Sequence, residues 1–256
     1  MRSRLRADAA AAVVMASAAG HLSLYRLSTV FRGRSPARAL RLFQHWGRRT
    51  CRWLRVEVAV HGVAPSRPCL YVANHRSYLD VPVLAGVLGA TFLSRADVAR
   101  WWVIGGAARA IGTVFVDRDD PRARMRAARA LARRLCTGSV VVFPEGTTGG
   151  ERVPGPFQPG LFRLLHRVRI PVVPVTIRYG DRLAYWTDEL TLASHLRRLV
   201  TRQRCVRAAV HIGQSLDAQA HPDGQSLAAA AYGAVCAPID ALGELASEAS
   251  PSGFGD

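Results

Sequence analysis

Between Ala37 and Arg55 the apolar residues Leu40, Phe43, Trp46, Trp53 and Leu54 return at roughly helical spacing, with Arg38, Arg41, Arg48, Arg49, Arg52 and Arg55 between them. This predicts an arginine-rich amphipathic helix carrying two tryptophans. Its apolar stripe either docks on a core or lies on a membrane surface, and indole rings beside arginines favour the lipid headgroup layer. Ahead of it, Ala9 to Tyr25 is an uncharged stretch of 17 residues that includes His21 and Ser23. At ~1.5 Å per residue it falls short of a ~30 Å hydrocarbon core, so it reads as an interfacial or re-entrant helix. Arg2, Arg4 and Arg6 before the Ala-rich run, and Ala16-Ser17-Ala18, imitate a secretory signal, but Asp8 interrupts it and cleavage is not expected.

From Val56 the pattern changes to short β-branched runs that alternate with helical segments. Strands are predicted near Val56–Val60, Cys69–Ala73, Thr91–Ser94, Thr113–Asp117, Val140–Phe143, Val172–Ile177 and Arg207–Ile212. The clearest helix runs from Pro121 to Leu135: Asp120 caps it, Pro121 suits its first position, and Met125, Ala128, Leu131 and Leu135 make its apolar face. Arg122, Arg126, Arg129 and Arg133 make its other face. From Pro222 the chain turns Ala-rich, with a helix expected over Ser226–Cys236 and a frayed end at Ser250–Asp256. The fold class is α/β: a mixed central sheet flanked by helices, with an N-terminal amphipathic helical arm for membrane docking. Residues 1–55 are expected to form the arm, 56–213 the α/β domain and 214–256 an Ala-rich C-terminal helix and tail.

Composition narrows the chemistry. All 35 basic residues are arginine, so a lysine Schiff base or a P-loop lysine is excluded. The net charge of +17 is concentrated on the arm, which holds twelve arginines against one acid, Asp8. Such an arm seeks a polyanion, either nucleic acid or an anionic membrane. The arginines are not interleaved with base-stacking aromatics beside the domain's motifs, so no nucleic-acid partner is expected. Cys51, Cys69, Cys136, Cys205 and Cys236 are odd in number and include no CxxC pair, which fits reduced thiols and no structural metal site.

Four segments carry chemistry. Asn74-His75-Arg76-Ser77-Tyr78-Leu79-Asp80 follows the strand ending at Ala73. Histidine suits proton transfer near neutral pH, and a carboxylate on its other nitrogen fixes the tautomer. Residues five apart point ~140° away from each other on one helix. Pro82 is tolerated only in a first turn, so the helix should begin near Leu79, with His75 on the preceding loop folded back onto Asp80. Phe143-Pro144-Glu145-Gly146-Thr147-Thr148-Gly149-Gly150 is a second strand-end loop, whose glycines let amides approach an anion. Gly112-Thr113-Val114-Phe115-Val116-Asp117-Arg118 places Arg118 at a strand end, suited to a phosphate. Ile170-Pro171-Val172-Val173-Pro174-Val175 reads as an architectural strand.

In this order the four blocks resemble the glycerolipid acyltransferase family, which includes the 1-acylglycerol-3-phosphate acyltransferases. Its NHxxxxD, GxxFxxR, FPEGT and VPV-type blocks are matched at Asn74–Asp80, Gly112–Arg118, Phe143–Thr147 and Ile170–Val175. The resemblance implies fatty-acyl transfer from acyl-CoA or acyl-carrier protein to a lysolipid hydroxyl, without cofactor or metal, at a membrane surface. It implies His75 as general base, Asp80 as its orienting partner, and Arg118, Glu145, Gly146 and Thr147 around the polar headgroup. Amides near Gly146 are one candidate for the oxyanion donor. The implied reaction is phospholipid biosynthesis, 1-acylglycerol-3-phosphate to phosphatidic acid, on the cytoplasmic face of a bacterial inner membrane. Thr148 and Gly149 depart from the common EGTRS continuation and remove an expected phosphate-binding arginine, for which Arg152 is a candidate substitute. Gln158 stands where a basic residue is frequent. The EGTTGG form resembles the lyso-ornithine lipid acyltransferases as well, the alternative acceptor class.

Overall fold

Leu70 and Val72 face one side of their strand and Tyr71 and Ala73 the other, yet all four are buried, the mark of a strand covered by helices on both faces. The computed structural model describes residues 2–149, 151, 153–186, 194, 195, 199 and 205–242. Its strands are β1 Val56–His61, β2 Leu70–Ala73, β3 Thr91–Arg95, β4 Val114–Val116, β5 Val140–Val142, β6 Val172–Tyr179 and β7 Val206–Ile212. They form a seven-stranded sheet in the order β1-β7-β6-β2-β5-β3-β4. All pairs are parallel except β6 with β7, where Val175 opposes Ile212. Each expected strand is present within a residue or two of its predicted limits.

The described helices are α1 Arg2–Arg32, α2 Pro36–Trp53, α3 Asp80–Leu88, α4 Trp102–Ile111, α5 Pro121–Leu135, α6 Pro159–Val168 and α7 Gly224–Cys236. One sheet face packs Tyr71, Val173, Val175 and Ile177 against α3, with Cys51 and Leu54 of the α2 end. The other packs Leu70, Val140 and Val172 against α5, α6 and α7. Asp120 caps α5 as expected, accepting the Arg122 amide at 2.7 Å. The face α5 buries is Ala127, Leu131 and Leu135, a line of i, i+4 positions, so Ala128 is half-buried and Met125, expected inside, is 58% exposed.

The two N-terminal helices are built onto the domain. Helix α2 buries Ala39, Gly47, Thr50 and Cys51. At Gly47 it lies so close to α3 that a Cβ would sit 2.6 Å from the Pro82 carbonyl oxygen and 2.8 Å from the Gly86 nitrogen. Helix α1 lies along α4 and α2, with Leu22 against Gly106. Among the described residues no helix is long and apolar enough to cross a membrane. Arg152 and the tail Ser250–Asp256 lie outside the described residues.

Candidate active site

The strand β2, in the middle of the sheet, delivers His75 just past its C-terminal end, and Asn74 fixes the exit. Its side-chain amide donates to the Ile177 carbonyl at 2.9 Å and accepts the Ile177 amide at 2.7 Å, so it extends the β2–β6 ladder past the end of the strand. The chain then loops into α3, whose first residue is Asp80. Pro82 falls in the first turn, where it breaks no helical hydrogen bond. His75 Nδ1 lies 2.7 Å from Asp80 Oδ2, the geometry expected from the five-residue spacing. The same oxygen accepts the backbone amides of Arg76 at 2.6 Å and Ser77 at 2.9 Å. Oδ1 accepts the Tyr179 hydroxyl at 2.7 Å.

Asp80 is fully buried, whereas the His75 side chain is 20% exposed. A carboxylate only accepts, so His75 Nδ1 carries the hydrogen and Nε2 keeps its lone pair. The imidazole also stacks on Phe143, ring centroids 4.0 Å apart and planes 12° apart, which limits its rotation. Tyr179 comes from the far end of β6 and the sequence reading missed it. Burial and the neighbouring Asp80 push its phenol well above the ordinary value, so it stays a donor.

Glu145, expected at the headgroup, is turned inward. Its Oε1 accepts the His75 amide at 2.7 Å and Oε2 the Gly155 amide at 2.8 Å. Burial raises its carboxyl above the usual range, opposed by these two hydrogen bonds and by Arg76. Gly149 donates to the His75 carbonyl at 3.1 Å, and buried Arg76 donates to the Gly149 carbonyl at 3.2 Å. The second loop is therefore a bracket around the histidine backbone. Gly146 has φ +82°, and its own amide closes a turn onto the Phe143 carbonyl at 3.1 Å. The next amides, Thr147 and Thr148, make no hydrogen bond among the described residues.

Arg118 extends from the β4 end over this turn and donates to the Gly146 carbonyl at 2.7 Å. Burial first and Arg95 second hold its pKa below the ordinary value, so two cations face the same space. Arg95, at the end of β3, was not singled out from sequence because one arginine after a short strand carries no signal of its own.

His75, Arg118, Gly146 and Thr147 line part of a cavity of about 470 Å³. Its walls are apolar: Val14, Ala18 and Leu22 of α1, Ala39 and Trp46 of α2, and Ile104 and Ile111 of α4. Trp46, expected at a lipid surface, is thus an inner wall and stacks on Phe43 at 5.4 Å. Trp53 stays 39% exposed under the Arg49 guanidinium. Among the described residues no three His, Cys, Asp or Glu side chains are grouped as metal ligands.

The sequence matches the family described as Acyltransferase over residues 55–178. A lyso-ornithine lipid O-acyltransferase of Pseudomonas aeruginosa is 38% identical over 178 residues, 67% of this chain and 67% of that protein. One of Rhizobium meliloti is 31% identical over 198 residues, 70% of this chain and 68% of that protein. A 1-acyl-sn-glycerol-3-phosphate acyltransferase of Neisseria meningitidis serogroup B is 31% identical over 138 residues, 53% and 54% of the two chains. The crystal structure of a 1-acyl-sn-glycerophosphate acyltransferase from Thermotoga maritima shares the fold: TM-score 0.71 at 21% identity, covering 97% of this chain and 96% of that one.

Proposed function

We propose, starting from the fact that this chain belongs to the acyltransferase family, that it moves a fatty acyl group from an acyl thioester to the free hydroxyl of a lysolipid. The observation that carries this is the His75–Asp80 pair, whose histidine lines a largely apolar cavity. His75 Nε2 removes the acceptor hydroxyl proton as the oxygen attacks the thioester carbonyl, and Asp80 holds the imidazolium that forms. The tetrahedral intermediate then expels the thiolate, which takes the proton back from His75. Free amides at Thr147 and Thr148 supply the oxyanion donors, since the Gly146 amide is engaged. The cavity takes an acyl chain, and Arg118 with Arg95 takes the anionic group of the acceptor's head, a carboxylate or a phosphate. Glu145 and Gly146 hold the loop that frames that headgroup.

For the acceptor, a lyso-ornithine lipid is the first reading. The Pseudomonas and Rhizobium relatives bear that name, and Thr148 stands where a phosphate-binding arginine is expected. Lysophosphatidate is the second, because Arg118 and Arg95 also suit a phosphate. The membrane surface is met by an apolar stripe on α1, Leu24, Leu27 and Phe31, with Trp102 on the neighbouring α4, 93% exposed. Arg26, Arg32 and Arg34 are exposed on and just beyond α1. This exposed apolar and basic surface supports our reading that the enzyme works at a membrane surface, which we take to be the cytoplasmic face of a bacterial inner membrane.

The test is to incubate the protein with lyso-ornithine lipid, lysophosphatidate and other lysolipids, with labelled acyl-CoA or acyl-carrier protein, and identify products by mass. Acylated lysolipid is expected, lost about 10²–10⁴-fold in His75→Ala. Near-normal turnover in that variant would remove His75 as the base.

A further inference from the structure

Helix α5 carries a line of four cations, of which only Arg126 has an acidic partner among the described residues. Arg122, Arg126, Arg129 and Arg133 are all exposed. At ~100° per residue they fall within a band about 60° wide, opposite the buried Ala127, Leu131 and Leu135, and at ~1.5 Å per residue they span roughly 16 Å. Their i, i+3 and i, i+4 spacings set like charges side by side, which destabilises a helix. The only acid among the described residues that pairs with the line is the cap Asp120, 3.3 Å from Arg126 in an exposed contact. Exposed Met125 flanks the stripe.

The stripe begins four residues after a residue that lines the cavity. Arg118 lines the cavity, and the chain enters α5 three residues later. Arg124 Nη1 donates to the Arg118 carbonyl at 3.3 Å, tying the first turn of α5 to that strand end. Helix α5 also covers the sheet face opposite α3 and the α2 end, while the exposed apolar stripe and Trp102 belong to α1 and α4.

We propose that the α5 stripe is the docking surface for an acidic carrier protein that delivers the acyl thioester, with Met125 as its one apolar contact. This rests on the acyl-transfer reading and names its donor. A row of four arginines one helical turn apart matches a row of carboxylates on a partner helix, and Arg and Met are enriched where protein interfaces form. A bilayer is less suited to it, because the stripe carries no aromatic or branched aliphatic anchor.

The experiment compares acyl-carrier protein and acyl-CoA as donors to one lysolipid, using the full chain and the triple variant Arg122→Glu/Arg129→Glu/Arg133→Glu. The KM for acyl-carrier protein is expected to rise about tenfold or more with kcat retained. Kinetics with acyl-CoA, the melting temperature and sedimentation with anionic liposomes should stay as in wild type. Raised salt should weaken wild-type use of the carrier protein and change the variant little. Met125→Ala, which alters no charge, should raise the same KM more modestly. Equal losses with both donors, unchanged carrier-protein kinetics, or loss of liposome binding instead would each overturn the proposal. So would a wild type active with acyl-CoA but not with the carrier protein, whereas activity with neither donor would fail the acyl-transfer reading itself.

Discussion

Tyr179 and His75 hold opposite oxygens of one carboxylate: the phenol donates to Asp80 Oδ1 and the imidazole meets Oδ2, each at 2.7 Å. With the Arg76 and Ser77 amides on Oδ2 as well, the carboxylate has one orientation available, the one that presents an oxygen to the imidazole. Tyr185 in turn donates to the Tyr179 carbonyl at 3.3 Å.

Tyr179→Phe keeps the shape and removes the donor, leaving Oδ1 buried without it. A hydrogen bond to a charged group contributes about 1.5–3 kcal/mol, so kcat should fall roughly tenfold or more and thermal stability should drop measurably. The acceptor KM should not change, because Tyr179 is buried and does not line the cavity. A KM rise without a kcat loss would mean the tyrosine serves the pocket and not the pair.

Glu145→Gln gives an amide that cannot accept on both sides, so either His75 or Gly155 loses its partner. About 1–3 kcal/mol of stability and most of the turnover should be lost, measured by denaturant melts and acylation rates. The pH dependence has a sign. Because the folded carboxyl is raised, the native state binds its proton more tightly than the unfolded chain. The proton-linked part of wild-type stability, distinct from the two accepted hydrogen bonds, is therefore fully present below the unfolded value of about 4.3 and declines as pH rises through the folded value. Melts of Glu145→Gln between these values should lack that slope.

Arg118→Ala should raise the KM for the acceptor, whose carboxylate or phosphate it would hold, while leaving the donor KM near wild type. Thr148→Arg should move preference toward lysophosphatidate, by restoring a charge-assisted contact. Parallel acylation of the two lysolipids reads both, and an unmoved preference in Thr148→Arg would argue that residue 148 does not face the headgroup.

Phe31→Glu with Trp102→Glu places charge where the exposed apolar surface is greatest, at side chains 79% and 93% exposed. Sedimentation with anionic liposomes should fall sharply while turnover on detergent-dispersed substrate persists. Undiminished sedimentation would exclude this face as the membrane contact.

The strands were legible because β-branched runs are bounded by turn residues, and the His75–Asp80 pair because Pro82 limits where its helix can start. Other contacts were not. Tyr179 sits in an apolar strand 99 residues from Asp80, so only the β2–β6 pairing brings them together. Periodicity identified an apolar stripe on α2, but whether it meets lipid or protein depended on α3 and α4, and it lines a cavity. Met125 was misplaced because adjacent lines of apolar positions on α5 differ only by rotation, which the sheet decides. Glu145 shows its role only through backbone amides, groups that every residue but proline carries.

The absent side chain at Gly47 bears on whether the first two helices could be exchanged as a module. Helix α2 approaches α3 closely enough to exclude a methyl group, and α3 opens with Asp80, so the seat of α2 and the carboxylate share one rigid element. A chimera carrying a relative's first helices would have to bring a matching Pro82–Gly86 surface with them, or shift the residue that orients the histidine. Lineages of this enzyme should thus inherit the arm and the helix that opens with Asp80 together, as one unit of descent.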